Sequence, residues 1–202
     1  MQNDSLQPLQ SLQLIESMIN KAKNNFADNG FLYLLWGYTI CFCALFHYAC
    51  IQWQLHIIPR PDMIWMLTWL VGIFQAIYLR KKDKQRTAKT YTEDIISYIW
   101  ITFAVCAGVA TFIVLNVFKL TNWIFMYPII LMLYGMPTFL SGVVMQFTPL
   151  KIGGVVCWLL AIICTFTLNV NALLLVAVAV IAAWIIPGYL LQKKYKQHHT
   201  TS

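Results

Sequence analysis

Three polar side chains stand at helical spacing inside an otherwise apolar stretch: Tyr134, Thr138 and Ser141, between Trp123 and Phe147. On a helix they form one stripe, which Met145 continues and which runs beside Gly135 and Gly142. Pro137 removes a backbone donor within it and predicts a kink. Kinked helices with small and polar faces line pathways in transporters. The same residue types also hold packed transmembrane helices together. Gln75 is a second candidate, in register with Thr68, Gly72 and Leu79 on another helix. At about 1.5 Å of rise per residue it lies between the levels of Thr138 and Ser141. The second and fourth apolar helices are therefore expected to face each other there. His47 is the one imidazole within an apolar span, about 6 Å outward of its midpoint. Its plain role is a neutral histidine bonded to a neighbouring helix, and its sharper role is a proton or ligand site.

The remaining ionisable groups narrow the chemistry. The 7 acidic residues (Asp4, Glu16, Asp28, Asp62, Asp83, Glu93 and Asp94) all fall outside the spans, as does every Lys and Arg. Charges inside spans mark proton relays and ion paths, so an ordinary proton-coupled pump is disfavoured and a path for a neutral solute is not. One intramembrane histidine without a carboxylate does not build the usual intramembrane hydrolase. The chain is thus expected to be no enzyme and to hold no cofactor or metal. His198-His199 reads as a solvated end, and Glu93-Asp94 as a helix start favoured by the macrodipole. The 6 cysteines, Cys41, Cys43, Cys50, Cys106, Cys157 and Cys164, sit in apolar stretches with no CxxC pair. They read as small hydrophobes rather than disulfide partners or metal ligands.

The elements that position these residues follow from composition. The chain is 60% hydrophobic and only 10% charged, with mean hydropathy +0.67. Soluble domains carry about 25% charged residues, so this composition belongs in lipid. Apolar stretches long enough to span run over 31–55, 63–79, 95–118, 123–147, 152–168 and 172–191. The fold class is all-α, a polytopic bundle of six transmembrane helices. Before it, Leu12, Ile15, Ile19, Ala22 and Phe26 make one apolar stripe opposite Gln13, Asn20 and Lys21, which predicts a short amphipathic helix. Three parts result: an N-terminal segment (1–30), the transmembrane domain (31–191) and a basic tail (192–202). The start lacks the basic flank and cleavage site of a signal peptide, so the first span is expected to be retained.

The run Arg80, Lys81, Lys82, Lys84, Arg86 and Lys89 fixes orientation, because short basic loops stay cytoplasmic. With six spans, twelve of the 14 Lys and Arg residues fall inside, and only Arg60 and Lys119 outside. Five or seven spans would put one basic end on the wrong side. Both termini are therefore expected in the cytoplasm. The net charge of +7 is concentrated at membrane flanks, which implies contact with anionic lipid heads near the basic run rather than with nucleic acid. Small residues four apart, such as Ala104 with Gly108 and Gly153 with Cys157 and Ala161, predict close helix approach.

The stretch Tyr134-Gly-Met-Pro-Thr-Phe-Leu-Ser-Gly142, with Phe147-Thr-Pro-Leu-Lys-Ile-Gly-Gly154 and Cys157-Trp158, resembles a family of uncharacterised multi-helix bacterial inner-membrane proteins. Ile19-Asn-Lys-Ala-Lys23 and Gly30-Phe-Leu-Tyr-Leu-Leu-Trp-Gly37 are similar to the start of that family. The resemblance covers most of the chain and implies a multi-pass inner (plasma) membrane location, with no activity and no site residues to carry over. The expected function is a non-enzymatic membrane component or scaffold for membrane or cytoplasmic partner proteins. The alternative is a small permease for a neutral or weakly polar solute. A cavity lined by Gln75, Tyr134, Thr138 and Ser141 and open to one side would favour the permease, and a closed bundle with an exposed apolar N-terminal helix would favour the scaffold.

Overall fold

The computed structural model describes residues 30–55, 60–84, 91–117 and 123–200. Regular structure within them is entirely helical and supplies six spans long and apolar enough to cross a membrane. α1 is Gly30–Gln52. A 3₁₀ turn, Pro61–Trp65, leads into α2, Met66–Lys84, and α3 is Tyr91–Asn116. A second 3₁₀ turn, Trp123–Phe125, leads into α4, Met126–Val144, which is followed by α5, Thr148–Phe166. The sixth span is two α-helices, α6 (Ala172–Val180) and α7 (Ile186–Thr200), joined by a π-helical turn at Ile181–Ile185. The expected amphipathic helix over 12–26 lies outside the described residues, as do Arg86 and Lys89 of the basic run.

Local chemistry explains where these helices begin and end. Pro61 opens its 3₁₀ turn and Pro149 the first turn of α5, positions where a missing N–H costs nothing. The residues expected as a loop, Thr148 to Lys151, are therefore helical, and the reversal between α4 and α5 takes only residues 145–147. It is closed by Phe147 N–H donating to the Gly142 carbonyl at 2.9 Å, with Gln146 at φ 50°. α1 ends the same way: Leu55 N–H donates to the Cys50 carbonyl at 3.0 Å, and Gln54 has φ 49°. These are Schellman-type ends with glutamine at the left-handed position that glycine usually fills. Arg80, Lys81 and Lys84, expected in a loop, form the exposed last turns of α2. Glu93 and Asp94 sit in the first turn of α3, where negative charge meets the positive end of the helix dipole.

The spans differ sharply in how they are used. In α1, α4, α5 and the sixth span, 33 to 50% of the membrane-length window is buried; in α2 it is 0% and in α3 6%. The core is therefore a four-span body. α4 pairs with α5 along their length, and α1 lies against the sixth span. Glycines set the distances. A Cβ on Gly153 of α5 would stand 2.6 Å from Ala183 Cα, and one on Gly37 of α1 2.7 Å from Ile185 Cγ1. The two glycines thus let α5 and α1 close on the π turn. That turn has a local cause in Pro187, which is fully buried just downstream. Pro187 has no N–H for the Ala183 carbonyl and its ring would crowd that carbonyl in a regular α-helix. Widening the preceding turn resolves both problems, and Ile186 N–H donates instead to the Ile181 carbonyl. α4 stays α-helical through Pro137, the position of the expected kink, and the π-helical turn is in the sixth span.

α2 and α3 lie outside this body. α2 rests on α1, and α3 on α4. A Cβ on Gly72 of α2 or Gly108 of α3 would meet nothing within 4 Å. Of the small-residue pairs read from the sequence, Gly153, Cys157 and Ala161 are buried at an interface, whereas Ala104 and Gly108 are exposed.

Candidate functional site

The polar residues singled out in the sequence separate into three places. Tyr134, Thr138 and Ser141 come together in the core, where all three are buried. Their centre is Trp184, in the π turn and near the middle of the sixth span. Its indole N–H donates to Thr138 Oγ1 at 2.9 Å, and its ring lies 4.8 Å from that of Tyr134. Aromatic contacts continue outward from Trp184 to Trp100 at 5.8 Å, from Trp100 to Phe103 at 5.7 Å and to Tyr33 at 6.1 Å. The π turn points Trp184 into α4, and Thr138 is the acceptor that its N–H requires away from water. Tyr33 and Ser141 lie side by side. Their hydroxyls are buried, and among the described residues neither completes a hydrogen bond. The stripe is thus packed between aromatic rings rather than open along its length.

Gln75 is elsewhere. Its side-chain oxygen accepts the indole N–H of Trp36 on α1. α2 makes its helix contact with α1 and no extensive one with α4, so the expected meeting of the second and fourth spans does not form. The depth estimate placed Gln75 along the membrane normal but carried no lateral information. A tryptophan on an adjoining helix supplies the polar partner that a half-buried amide within a span needs. A second indole completes the α4–α5 hairpin: Trp158 covers Gly135 and donates to the Met132 carbonyl at 3.2 Å, one turn before Pro137.

His47 lies in the third place, at the end of the bundle away from the basic run. Its Nδ1 accepts the Trp65 indole N–H at 3.1 Å, which leaves the proton of the neutral ring on Nε2. Cys43 Sγ lies 3.5 Å from the Ile64 carbonyl, a further tie of the 3₁₀ turn to α1. Beside these contacts lies a cavity of about 250 Å³, lined by His47, Ile51, Pro61, Asp62, Trp123, Ile124, Tyr127, Val170 and Leu173. His47, Tyr127 and Leu173 are buried at its floor, whereas Ile51 and Trp123 are exposed at its rim. Asp62 carries its charge within electrostatic reach of both His47 and Tyr127. Among the described residues its ion pair is with Arg60, at 3.6 Å, and the Arg60 side chain is 73% exposed. A separate hollow of about 350 Å³ between α3 and α4, beside Pro137, has an almost wholly apolar wall including Ile99, Phe103, Leu133 and Leu140.

Sequence reasoning missed Trp184, Tyr33, Asp62 and Tyr127. Two of them carried a usable signal. A tryptophan at mid-span, away from the interfacial belts, must find an acceptor in the protein. Asp62 directly follows a helix-opening proline, which fixes it at the mouth of the bundle. Among the described residues no three His, Cys, Asp or Glu side chains come together as a metal site. No protein-family model, curated protein or solved structure matches the chain.

Proposed function

We propose that the protein is a non-enzymatic component of the bacterial inner membrane that docks partner membrane proteins against α2 and α3. The observation that carries this is the contrast in burial: 0% and 6% of the α2 and α3 windows are buried, against a third or more in every other span. Most of the buried residues belong to the four-span body; α3 reaches it through Trp100 and Phe103, and the rest of its surface is left open. α3 in particular presents Ala104 and Gly108 on an exposed face, and open small residues let a partner helix approach closely. In this reading both termini are cytoplasmic, as the basic flanks imply, and Arg80, Lys81 and Lys84 meet anionic lipid heads at that surface.

A photo-crosslinking residue at Val105 or Val109 of α3, in native membranes, should give discrete protein adducts; at buried Leu131 it should give none. Adducts to lipid alone at Val105 and Val109 would overturn the docking role. For orientation, a cysteine at position 58 should label from outside, and one at position 196 only after permeabilisation. The reverse pattern would invert the topology.

A second reading, a small permease for a neutral or weakly polar solute, has one observation in its favour. The cavity at His47 is open at its rim and ends on buried polar groups, as a substrate vestibule would. It counts for less because Thr138 and Tyr134 beneath it are packed against Trp184.

A further inference from the structure

We infer that the cavity at His47 is a binding site for a small primary amine, with the ammonium group on Asp62 and an apolar body seated against Ile51, Trp123 and Leu173. The chemistry of the lining selects this class. Among the described residues that line it, Asp62 is the one formally charged group. His47 is held neutral in its role as acceptor for Trp65, so it does not neutralise the carboxylate. Two aromatic side chains, Trp123 and Tyr127, also line the cavity, and aromatic faces attract cations. Among the described residues the competing cation is weakly held: Arg60 reaches Asp62 at 3.6 Å from an exposed side chain, and exposed pairs of this kind contribute little. An ammonium group can displace it. The volume, about 250 Å³, suits a molecule of roughly ten heavy atoms at the low end of known ligand pockets. The floor then chooses the polar decoration: His47 Nε2–H and the Tyr127 hydroxyl can both donate to an acceptor carried beside the amine.

The inference is independent of partner docking, which concerns α2 and α3 within the membrane. Its test uses the purified full chain in detergent, so failure of one leaves the other standing. The probes are phenethylamine, 2-phenylethanol and 3-phenylpropionate, which share an apolar body and differ in head group. Phenethylamine should bind saturably, and Asp62→Asn should weaken it about tenfold or more, as expected for loss of a charged hydrogen-bond partner. Arg60→Gln should strengthen it, because the competing cation is gone; micelle partitioning would not respond to that change. Ile51→Trp, at an exposed rim position, should block binding while leaving the fold intact. Equal affinity for amine and alcohol, indifference to Asp62→Asn, tighter binding of the carboxylate, or the absence of saturable amine binding would each overturn the assignment.

Discussion

The π turn at Ile181–Ile185 and the middle of α3 are both apolar, both within spans and both rich in small residues, yet they behave as opposites. At the π turn, Ala179, Val180, Ala183 and Trp184 are buried, and glycines on α1 and α5 close on the backbone. At the middle of α3, Ala104, Val105, Gly108 and Val109 are all exposed. Hydropathy does not separate them, because lipid and protein interior are equally apolar. What separates them is close packing. Without water there is little hydrophobic drive between helices, so association depends on van der Waals fit and hydrogen bonds. The four-span body has both: glycine-mediated approach, and an indole bonded to a threonine. α3 offers small residues with no helix against them among the described residues. Small residues four apart therefore signal the capacity for a contact, and only the structure shows which contacts the chain makes for itself.

The largest effect should come from adding one methyl group on each side of this comparison. Gly153→Ala would place Cβ 2.6 Å from Ala183 Cα, a backbone atom that has no rotamer through which to escape. We expect a loss of about 3 kcal/mol, the upper part of the range for overpacking, read as lower yield and a lower melting temperature in detergent. Gly108→Ala, with nothing within 4 Å of the new methyl, should leave stability unchanged or slightly raised. If Gly108→Ala left stability intact but abolished the protein adducts at Val105, the open face of α3 would be a docking surface. Equal stability loss in the two variants would break the comparison.

Thr138→Val should have the next largest effect, about 1–3 kcal/mol. The substitution keeps the shape but strands the Trp184 N–H in a dry interior, its acceptor at 2.9 Å gone. Trp184→Phe in the Thr138→Val background should recover part of the loss, since removing both partners is less costly than orphaning one. A neutral Thr138→Val would mean that Trp184 finds another acceptor, and the bond would not be what holds its ring against α4.

The sequence read well along the membrane normal and poorly across it. The six spans were legible because about 20 apolar residues in a row, separated by prolines, charges and turn residues, are demanded by bilayer thickness. Their ends shifted where turn chemistry was atypical: Gln54 and Gln146 take left-handed positions that a reader assigns to glycine, and Pro149 opens a helix that was read as an elbow. Lateral neighbours were not legible. Gln75, expected between the levels of Thr138 and Ser141, bonds Trp36, because depth does not say which helix stands beside which. Tyr134, Thr138 and Ser141 were grouped correctly because helical period alone puts them on one face. Their partner, Trp184, went unseen because its position depends on a π turn caused by Pro187.

The smallest effect concerns the same stripe, at Ser141. Thr138 has a partner and Ser141 has none, although the two are a single turn apart and both are fully buried. A buried hydroxyl without a hydrogen bond costs roughly 1–3 kcal/mol in desolvation, and replacing it by an apolar group of similar shape is nearly neutral or stabilising. Ser141→Ala should therefore hold or slightly raise the melting temperature, and Tyr33→Phe should do the same from the other side of the pair. The double variant should equal the better single one rather than the sum, because the hydroxyls adjoin each other and neighbouring sites do not add. That sign sets Ser141 against Thr138, whose loss should be costly. If Ser141→Ala were instead as damaging as Thr138→Val, the Tyr33–Ser141 pair would hold α1 to α4 by a hydrogen bond formed in the membrane. The four-span body would then be fastened at two polar points instead of one.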